Sequence, residues 1–258
     1  RHLRRQRQMC IRDSIGSIGV DGATYCALEF VGSATAALDM EERMTLCNMA
    51  IECGAKSGIV PPDDTTLEFV NARAKKPFEA VVSDADASYL EQHQFDVATM
   101  APQVAKPHRP DNVADVTELD QTAVNRCYIG SCTGGKIEDF IRAAEILDGK
   151  KVSVDTFCVP ATNLVDQAFD SVERNGRSLR RIFEDAGAKI GPPSCAACLG
   201  GPIDTFGRTH GSEVVISTTN RNFPGRMGSP DSAVYLASPY TVAASALTGH
   251  ITDPRNYL

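Results

Sequence analysis

The second half of the chain alternates short apolar runs with segments of helical periodicity, which is the pattern of an α/β domain. It predicts strands at 127–129, 152–159 and 213–217. Helices are predicted at about 137–147, 164–172 and 179–186. A last helix is expected to begin at Ser238-Pro239 and to end at Gly249. The predicted fold class is therefore α/β.

The first half contains one well-marked helix. Asp39 and Glu42 have the spacing of a capping box, which predicts a helix from there through about Cys53. Its predicted apolar stripe consists of Met40, Met44, Cys47 and Ile51. Asn48 and Glu52 stand four residues apart on one face, and the pattern alone favours a solvated polar face for them.

Residues 105–111 (A-K-P-H-R-P-D) predict a domain boundary near residue 110, because each proline disfavours a helical conformation in the residue before it. We expect a middle domain at 15–110 and a second domain at 111–258. Residues 1–14 hold five Arg and one Asp and lack the apolar segment of a secretory signal. They are interpreted as a leader outside both domains, either an assembly scar or a transit-peptide remnant. The expected location is the cytoplasm, or the plastid or mitochondrial matrix in the second case.

Composition narrows the function classes. Acidic side chains outnumber basic ones by 33 to 26, so nucleic acid and anionic membrane surfaces are poor partners. No run approaches the ~18 apolar residues of a membrane-spanning helix. The nine cysteines are an odd number in a chain long enough to bury a core without disulfides, so they indicate metal or redox chemistry in a reducing compartment.

Cys195 and Cys198 form a C-x-x-C motif within P-P-S-C-A-A-C-L-G-G-P. A thioredoxin-type redox pair needs a helix at the motif, which Leu-Gly-Gly-Pro disfavours. A structural zinc site needs a second pair of ligands, and only the isolated His210 follows in the sequence. The remaining interpretations are a buried, inert pair of thiols and an iron–sulfur cluster, and a third cysteine favours the cluster.

Cys132 is that third cysteine, in the loop G-S-C-T-G-G between a predicted strand and a predicted helix. Backbone N–H groups at such a junction stabilise a thiolate and an anionic cluster. Three thiolates leave one iron open, as a Lewis acid that activates a C–O bond. The loop also fits the G-x-x-x-x-G-K of a nucleotide-binding P-loop, although Ile137 stands where that motif has Ser or Thr. Cys127 and Cys158 lie in apolar strand patterns and are expected in the core.

A second polar loop, S-T-T-N-R-N-F-P-G-R, follows the predicted strand at 213–217 and carries Asn220, Arg221 and Arg226. Two arginines on one tight Pro-Gly loop suit bidentate binding of carboxylates, which favours a hydroxy di- or tricarboxylate substrate. Taken alone, these are ordinary surface arginines; beside a cluster loop they indicate a substrate site.

Together the motifs resemble the aconitase superfamily of iron–sulfur hydro-lyases, and most specifically the 3-isopropylmalate dehydratase large subunits. The resemblance runs from V-D-G-A-T-Y near Val20 through E-E-R-M-T-L-C-N-M-A-I-E, Y-I-G-S-C-T, S-C-A-A-C-L-G-G and T-N-R-N-F-P-G-R to A-S-A-L-T-G-H-I-T-D-P-R. It implies three-layer α/β/α domains with largely parallel sheets. The implied reaction isomerises 2-isopropylmalate to 3-isopropylmalate by dehydration and rehydration in leucine biosynthesis. Homoaconitase and citramalate- or dimethylmalate-type hydro-lyases share the motifs.

The same resemblance implies roles for individual residues. It assigns three ligands to a [4Fe–4S] cluster with one open iron: Cys132, Cys195 and Cys198. It assigns two catalytic residues beside that cluster: Asn48 and Glu52. It assigns three substrate-binding residues: Asn220, Arg221 and Arg226. The catalytic serine of these enzymes belongs to a separate small subunit, which is therefore an expected partner.

Two features depart from the family. Many members have Asn directly after S-C-T, where this chain has Gly134, so a polar contact is lost or replaced. The family's large subunit also has an N-terminal domain with Asp and His residues of the site, and no stretch of this chain corresponds to it. The 258 residues alone are therefore expected to be inactive, and a scaffold that holds no cluster is the further alternative.

Overall fold

The computed structural model describes residues 16–258, so the expectations for residues 1–14 lie outside the described residues. The chain divides into two compact units, one ending at Met100 and the other running from Ala101 to Leu258. The predicted boundary near residue 110 is therefore too late. Residues 105–111 are not an interdomain linker, because they join two antiparallel strands of the second unit.

The first unit combines two short parallel strands with helices. The strands are β1 (Ala27–Glu29) and β2 (Ser57–Ile59). The helices are α1 (Ser33–Ala36), α2 (Met40–Met49) and α3 (Asp64–Asn71), and a 3₁₀ turn continues α2 at Ala50–Cys53. Within residues 16–100, the buried apolar cluster of this unit consists of Ala23, Leu38, Leu46, Met49, Ala50, Cys53 and Ala55.

The capping box predicted for α2 is confirmed. The Asp39 carboxylate accepts the Glu42 N–H, and the Glu42 carboxylate accepts the Asp39 N–H, each at 2.9 Å. Helical chain continues through Cys53, and Gly54 ends it with the left-handed φ of 80° that glycine adopts without strain.

The predicted apolar stripe of α2 is wrong. Met44 and Ile51 are 42% and 48% exposed, whereas Arg43 is buried. The Arg43 guanidinium donates to both carboxylate oxygens of Asp63, at 2.5 and 2.7 Å, and to the carbonyl oxygens of Leu38 and Ala36. An arginine with all these acceptors tolerates burial, so the helix turns a charged side chain inward.

The second unit is built on a mostly parallel sheet. Its strands are β3 (Gln103–Ala105), β4 (Val113–Asp115), β5 (Arg126–Gly130), β6 (Asp155–Val159), β7 (Glu173–Arg174), β8 (Arg177–Ser178), β9 (Lys189–Ile190), β10 (Val214–Ser217) and β11 (Ala233–Leu236). Seven of them form one sheet in the order β4-β3-β11-β10-β5-β6-β9, and β7 and β8 form a separate hairpin. The five strands from β11 to β9 in this order are parallel to one another. Strand β3 pairs antiparallel with both β11 and β4.

The two faces of this sheet are covered differently. The helices are α4 (Ser131–Gly134), α5 (Ile137–Leu147), α6 (Asn163–Ser171), α7 (Leu179–Ala186) and α8 (Pro239–Thr248), with 3₁₀ turns at Val116–Glu118, Ala197–Leu199 and Pro254–Tyr257. Helices α5 to α8 form the main core with one face. On the other face Tyr128, Phe157 and Val215 pack against Ala197, in a 3₁₀ turn, and Met227, in a loop. The predicted α/β class is thus confirmed, and within residues 16–258 the outer layer opposite the helices consists of loops.

None of the helices described in residues 16–258 has the length and apolar character needed to cross a membrane.

Candidate functional site

Three polar loops follow parallel strands at one edge of the large sheet. Strand β5 ends at Gly130 and leads into the loop of Cys132. Strand β9 ends at Ile190 before the C-x-x-C motif, and β10 ends at Ser217 before Asn220. Because the carboxyl ends of parallel strands share one edge, the three loops meet where α/β sheets usually bind ligands.

Cys132 is exposed at a sharp turn after β5. Ser131 has φ 79°, a left-handed conformation that is uncommon outside glycine. Its hydroxyl oxygen accepts the N–H of Thr133 at 3.2 Å and that of Gly134 at 3.4 Å. The turn therefore has its own hydrogen bonds and presents the Cys132 thiol to solvent.

Lys136 serves this same turn. Its ammonium donates to the carbonyl oxygens of Cys132 at 3.1 Å and Thr133 at 2.6 Å. A P-loop lysine instead extends toward phosphate, and the following residue is Ile137 rather than a magnesium-binding Ser or Thr. The geometry therefore argues against the nucleotide-binding alternative.

Gly134 lets the Cys132 loop pack directly on the segment after β10. The Thr218 hydroxyl oxygen accepts the Gly130 N–H at 2.9 Å and lies 3.0 and 2.9 Å from the carbonyl oxygens of Gly130 and Gly134. A Cβ atom at Gly134 would stand only 2.3 Å from the Thr218 Cβ. The absence of a side chain at Gly134 thus permits a close contact with Thr218.

The two cysteines of the C-x-x-C motif differ in exposure. Cys195 is exposed and Cys198 is buried. A hydrogen bond with Cys195 lowers the pKa of the Cys198 thiol against the opposing effect of burial. The positive charge of Arg226 also lowers it, while the negative charge of Cys132 raises it. The three cysteines and Arg226 therefore lie within electrostatic range of one another.

The loop after β10 packs against the C-x-x-C segment. Cys198 Sγ donates to Asn220 Oδ1 at 3.6 Å. A Cβ atom at Gly200 would lie 2.8 Å from the carbonyl oxygen of Gly225, so the two loops approach through glycine. The Arg226 Nε is buried and has no hydrogen-bond partner among residues 16–258. Of the predicted substrate residues, Asn220 and Arg226 thus stand beside the cysteines.

Arg221 is half-buried next to Asn220, and its other neighbour, Asn222, anchors the loop. The Asn222 amide donates to the carbonyl oxygens of Lys106 at 2.8 Å and Val234 at 3.2 Å. Sequence reasoning did not identify this anchoring role, since the N-R-N pattern does not distinguish a buried amide from an exposed one.

Tyr128 is a further residue that sequence reasoning placed only in a strand. It is fully buried on the loop-covered face of β5 and packs in one cluster with Ala197 and Met227. Its hydroxyl has no hydrogen-bond partner in the part of the chain that the structure describes. Burial raises the pKa of the phenol, and the neighbouring Cys198 and Cys195 thiolates raise it further, so the group keeps its proton at neutral pH and can donate a hydrogen bond.

A sequence profile of the Aconitase family (aconitate hydratase) matches residues 10–122 and 115–249, most of the chain. The chain belongs to the aconitase family. The 3-isopropylmalate dehydratase large subunit, chloroplastic, of Arabidopsis thaliana is 52% identical over 98% of this chain and 51% of its own length. The probable methanogen homoaconitase large subunit of Methanosarcina mazei is 50% identical over 93% of this chain and 59% of its own length. The 3-isopropylmalate dehydratase large subunit of Desulfitobacterium hafniense is 47% identical over 95% of this chain and 57% of its own length. This aconitase-family chain therefore spans about half the length of the curated relatives it matches.

The two predicted catalytic residues, Asn48 and Glu52, lie in the first unit. Asn48 is half-buried in α2, and Glu52 is 5% exposed in the turn Ala50–Cys53. The solvated polar face that the pattern favoured is therefore wrong for Glu52. A buried carboxylate destabilises the fold unless other polar or charged groups stabilise it. The burial of Glu52 therefore indicates that such groups surround its carboxyl group.

The donor set fits an iron–sulfur cluster better than a single metal ion. Within residues 16–258, no three His, Cys, Asp or Glu side chains are placed to ligate one metal ion. A cluster instead takes each thiolate on a different iron, so its cysteines stand farther apart. Exposed Cys132 and Cys195, a Cys198 thiol with a lowered pKa and the Tyr128 phenol, which has no hydrogen-bond partner within residues 16–258, suit such a group. Cys127 and Cys158 are fully buried, as predicted for core residues.

Proposed function

We propose that this chain is part of the large subunit of an iron–sulfur hydro-lyase that isomerises 2-isopropylmalate to 3-isopropylmalate. Two observations support the proposal: the loops of Cys132, Cys195 and Asn220 all follow parallel strands at the carboxyl edge of the sheet, and Cys195, Arg226 and Cys132 all influence the pKa of the Cys198 thiol. The names of the relatives from Arabidopsis thaliana and Desulfitobacterium hafniense support this choice of substrate.

In this proposal Cys132, Cys195 and Cys198 hold a [4Fe–4S] cluster, which when bound supplies an open iron that acts as a Lewis acid on the substrate hydroxyl. The lowered pKa of Cys198 favours the thiolate that ligation requires. Asn220, whose amide oxygen contacts Cys198 Sγ, orients that sulfur.

Substrate binding is assigned to the arginines of the loop after β10. Arg221 and Arg226 bind the carboxylates, and the Nε of Arg226, which has no partner in the described part of the chain, leaves a donor for one of them. Asn48 and Glu52 are assigned as the catalytic residues of this chain. Glu52 is 5% exposed, and a carboxyl group is one of the side chains that act as general acids or bases. A serine of a small-subunit partner takes the proton from the neighbouring carbon.

The test begins with the purified chain reconstituted anaerobically with iron and sulfide. We expect iron and sulfide in equal amounts and, after mild oxidation, a [3Fe–4S]⁺ EPR signal that added iron and reductant abolish. The variants Cys132→Ser, Cys195→Ser and Cys198→Ser should lose the bound iron, whereas the core variant Cys127→Ala should retain it. An unsubstituted chain that binds no iron would contradict the proposal.

Homoaconitase activity is the second candidate, because the Methanosarcina mazei relative is 50% identical over 93% of this chain. Turnover of 2-isopropylmalate and of homocitrate separates the two, when the iron-loaded chain is joined to the N-terminal domain of each type of relative and mixed with the matching small subunit. We expect no turnover by the chain alone. Isomerisation without a small subunit would show that the proton-abstracting group lies in the chain itself.

A further inference from the structure

We propose that Tyr128 is a positioning residue whose hydroxyl donates a hydrogen bond to a sulfur of the cluster held by Cys132, Cys195 and Cys198. This inference rests on the proposed function and adds a residue that touches the cluster without ligating it.

The ring of Tyr128 is held in place by backbone at both edges. A Cβ atom at Gly130 would stand 2.7 Å from Tyr128 Cε1, and one at Gly207 would stand 2.7 Å from Cε2. Gly207 has φ 80°, which favours glycine independently of the contact. Two glycines in contact with one ring leave it little freedom, so the direction of the hydroxyl is set by the fold.

That hydroxyl lacks an acceptor within the described chain, although the residue is fully buried. A buried hydroxyl without a hydrogen bond destabilises a folded protein, and a phenylalanine would fill the same space without that cost. Tyr240 shows the usual arrangement, because its hydroxyl donates to Glu145 Oε2 at 2.6 Å. The missing acceptor of Tyr128 is therefore best supplied by a bound group.

The position of Tyr128 identifies that group. The side chain packs in one cluster with Ala197, which lies between Cys195 and Cys198 in the sequence. Both thiols are near enough to act on the phenol electrostatically. Sulfurs of an iron–sulfur cluster accept hydrogen bonds, and these bonds are among the factors that set its reduction potential.

The experiment compares the full chain with Tyr128→Phe and with the matched control Tyr240→Phe, all loaded with the cluster and exchanged into D₂O. Deuterium ENDOR of the paramagnetic cluster should show an exchangeable deuteron near sulfur that Tyr128→Phe loses and Tyr240→Phe retains. The reduction potential should be more negative in Tyr128→Phe alone, because a donor to the anionic cluster is gone. An unchanged ENDOR spectrum and potential in Tyr128→Phe would overturn the inference.

A second measurement uses the same proteins without iron. Tyr128→Phe should unfold at the same urea concentration as the unsubstituted chain or at a higher one, whereas Tyr240→Phe should unfold at a lower one. A lower midpoint for Tyr128→Phe would show that the hydroxyl already has an acceptor in the protein, which also overturns the inference. An unsubstituted chain that retains no iron instead refutes the proposed function.

Discussion

Replacing Thr218 by valine removes one buried hydroxyl and keeps the shape of the side chain. The hydroxyl oxygen accepts the Gly130 N–H at 2.9 Å and lies within 3.0 Å of the carbonyl oxygens of Gly130 and Gly134. Thr218 is 2% exposed, so water does not replace these contacts. The substitution therefore isolates the hydrogen bonds that attach the Cys132 loop to the segment after β10.

The magnitude follows from the groups left behind. A buried N–H that loses its acceptor costs about 1–3 kcal/mol, and the hydrogen bond lost to a carbonyl adds about 1 kcal/mol. Thr218→Val should therefore lower the free energy of unfolding by about 2–4 kcal/mol. The control Thr218→Ser keeps the hydroxyl and removes one methyl group, which costs about 1 kcal/mol.

The free energy of unfolding of both variants is measured by urea unfolding, followed by far-UV circular dichroism because the chain contains no tryptophan for fluorescence. The valine variant should have the lower midpoint, and after reconstitution it should retain less iron, because Cys132 is no longer held in place. A Thr218→Val midpoint equal to or above that of Thr218→Ser would refute the reasoning, since the hydroxyl would then contribute nothing.

Three further predictions concern other parts of the chain. Gly134→Ala should lower the free energy of unfolding by about 1–3 kcal/mol in the same urea assay, because its Cβ would meet Thr218 at 2.3 Å; no change would mean that the loop relaxes freely. The hydrogen bond from Arg43 lowers the pKa of Asp63 from 3.8 to about 2. The stability that the ionised Asp63 carboxylate contributes is therefore complete above pH 3.8 and is lost as the pH falls toward 2. Urea midpoints measured across that interval should therefore fall less steeply in Asp63→Asn, and an identical slope would contradict the assignment. The ring centroids of Phe140 and Phe169 lie 4.6 Å apart in an edge-to-face contact. Phe140→Ala should therefore lower the free energy of unfolding by about 3–5 kcal/mol, measured by calorimetry, and no change would place this ring outside the core.

Several features of the fold were predictable because they depend on neighbouring residues. Asp39 and Glu42 satisfy each other's backbone N–H groups, and Gly54 supplies a left-handed φ, so both ends of the helical segment follow from local chemistry. The same holds for the last helix, which runs from Pro239 and ends at Gly249. Strands β5, β6 and β10 were found from apolar runs that a parallel sheet buries on both faces.

Other features were predicted wrongly because they depend on distant partners. The inward turn of Arg43 requires Asp63, a residue 20 positions away. Two prolines suggested a linker at 105–111, but the strand pairing of β3 with β4 and with β11 makes that segment part of the second unit. Helical periodicity and proline frequency contain no information about such pairings.

For the candidate site, the sequence by itself determined which residues are candidates: the spacing of Cys195 and Cys198, the Cys132 loop between a strand and a helix, and two arginines on one Pro-Gly loop. The chemistry of a local motif can be predicted from the sequence because its ligand atoms and its turn geometry depend on only a few neighbouring residues. The tertiary structure alone decided which groups meet. Thr218 contacts Gly134 across 84 positions of sequence. The sheet and the loops together bury the Tyr128 hydroxyl, which finds no acceptor among the residues that the structure describes. Burial and contact are properties of the folded chain as a whole, so no spacing along the sequence specifies them.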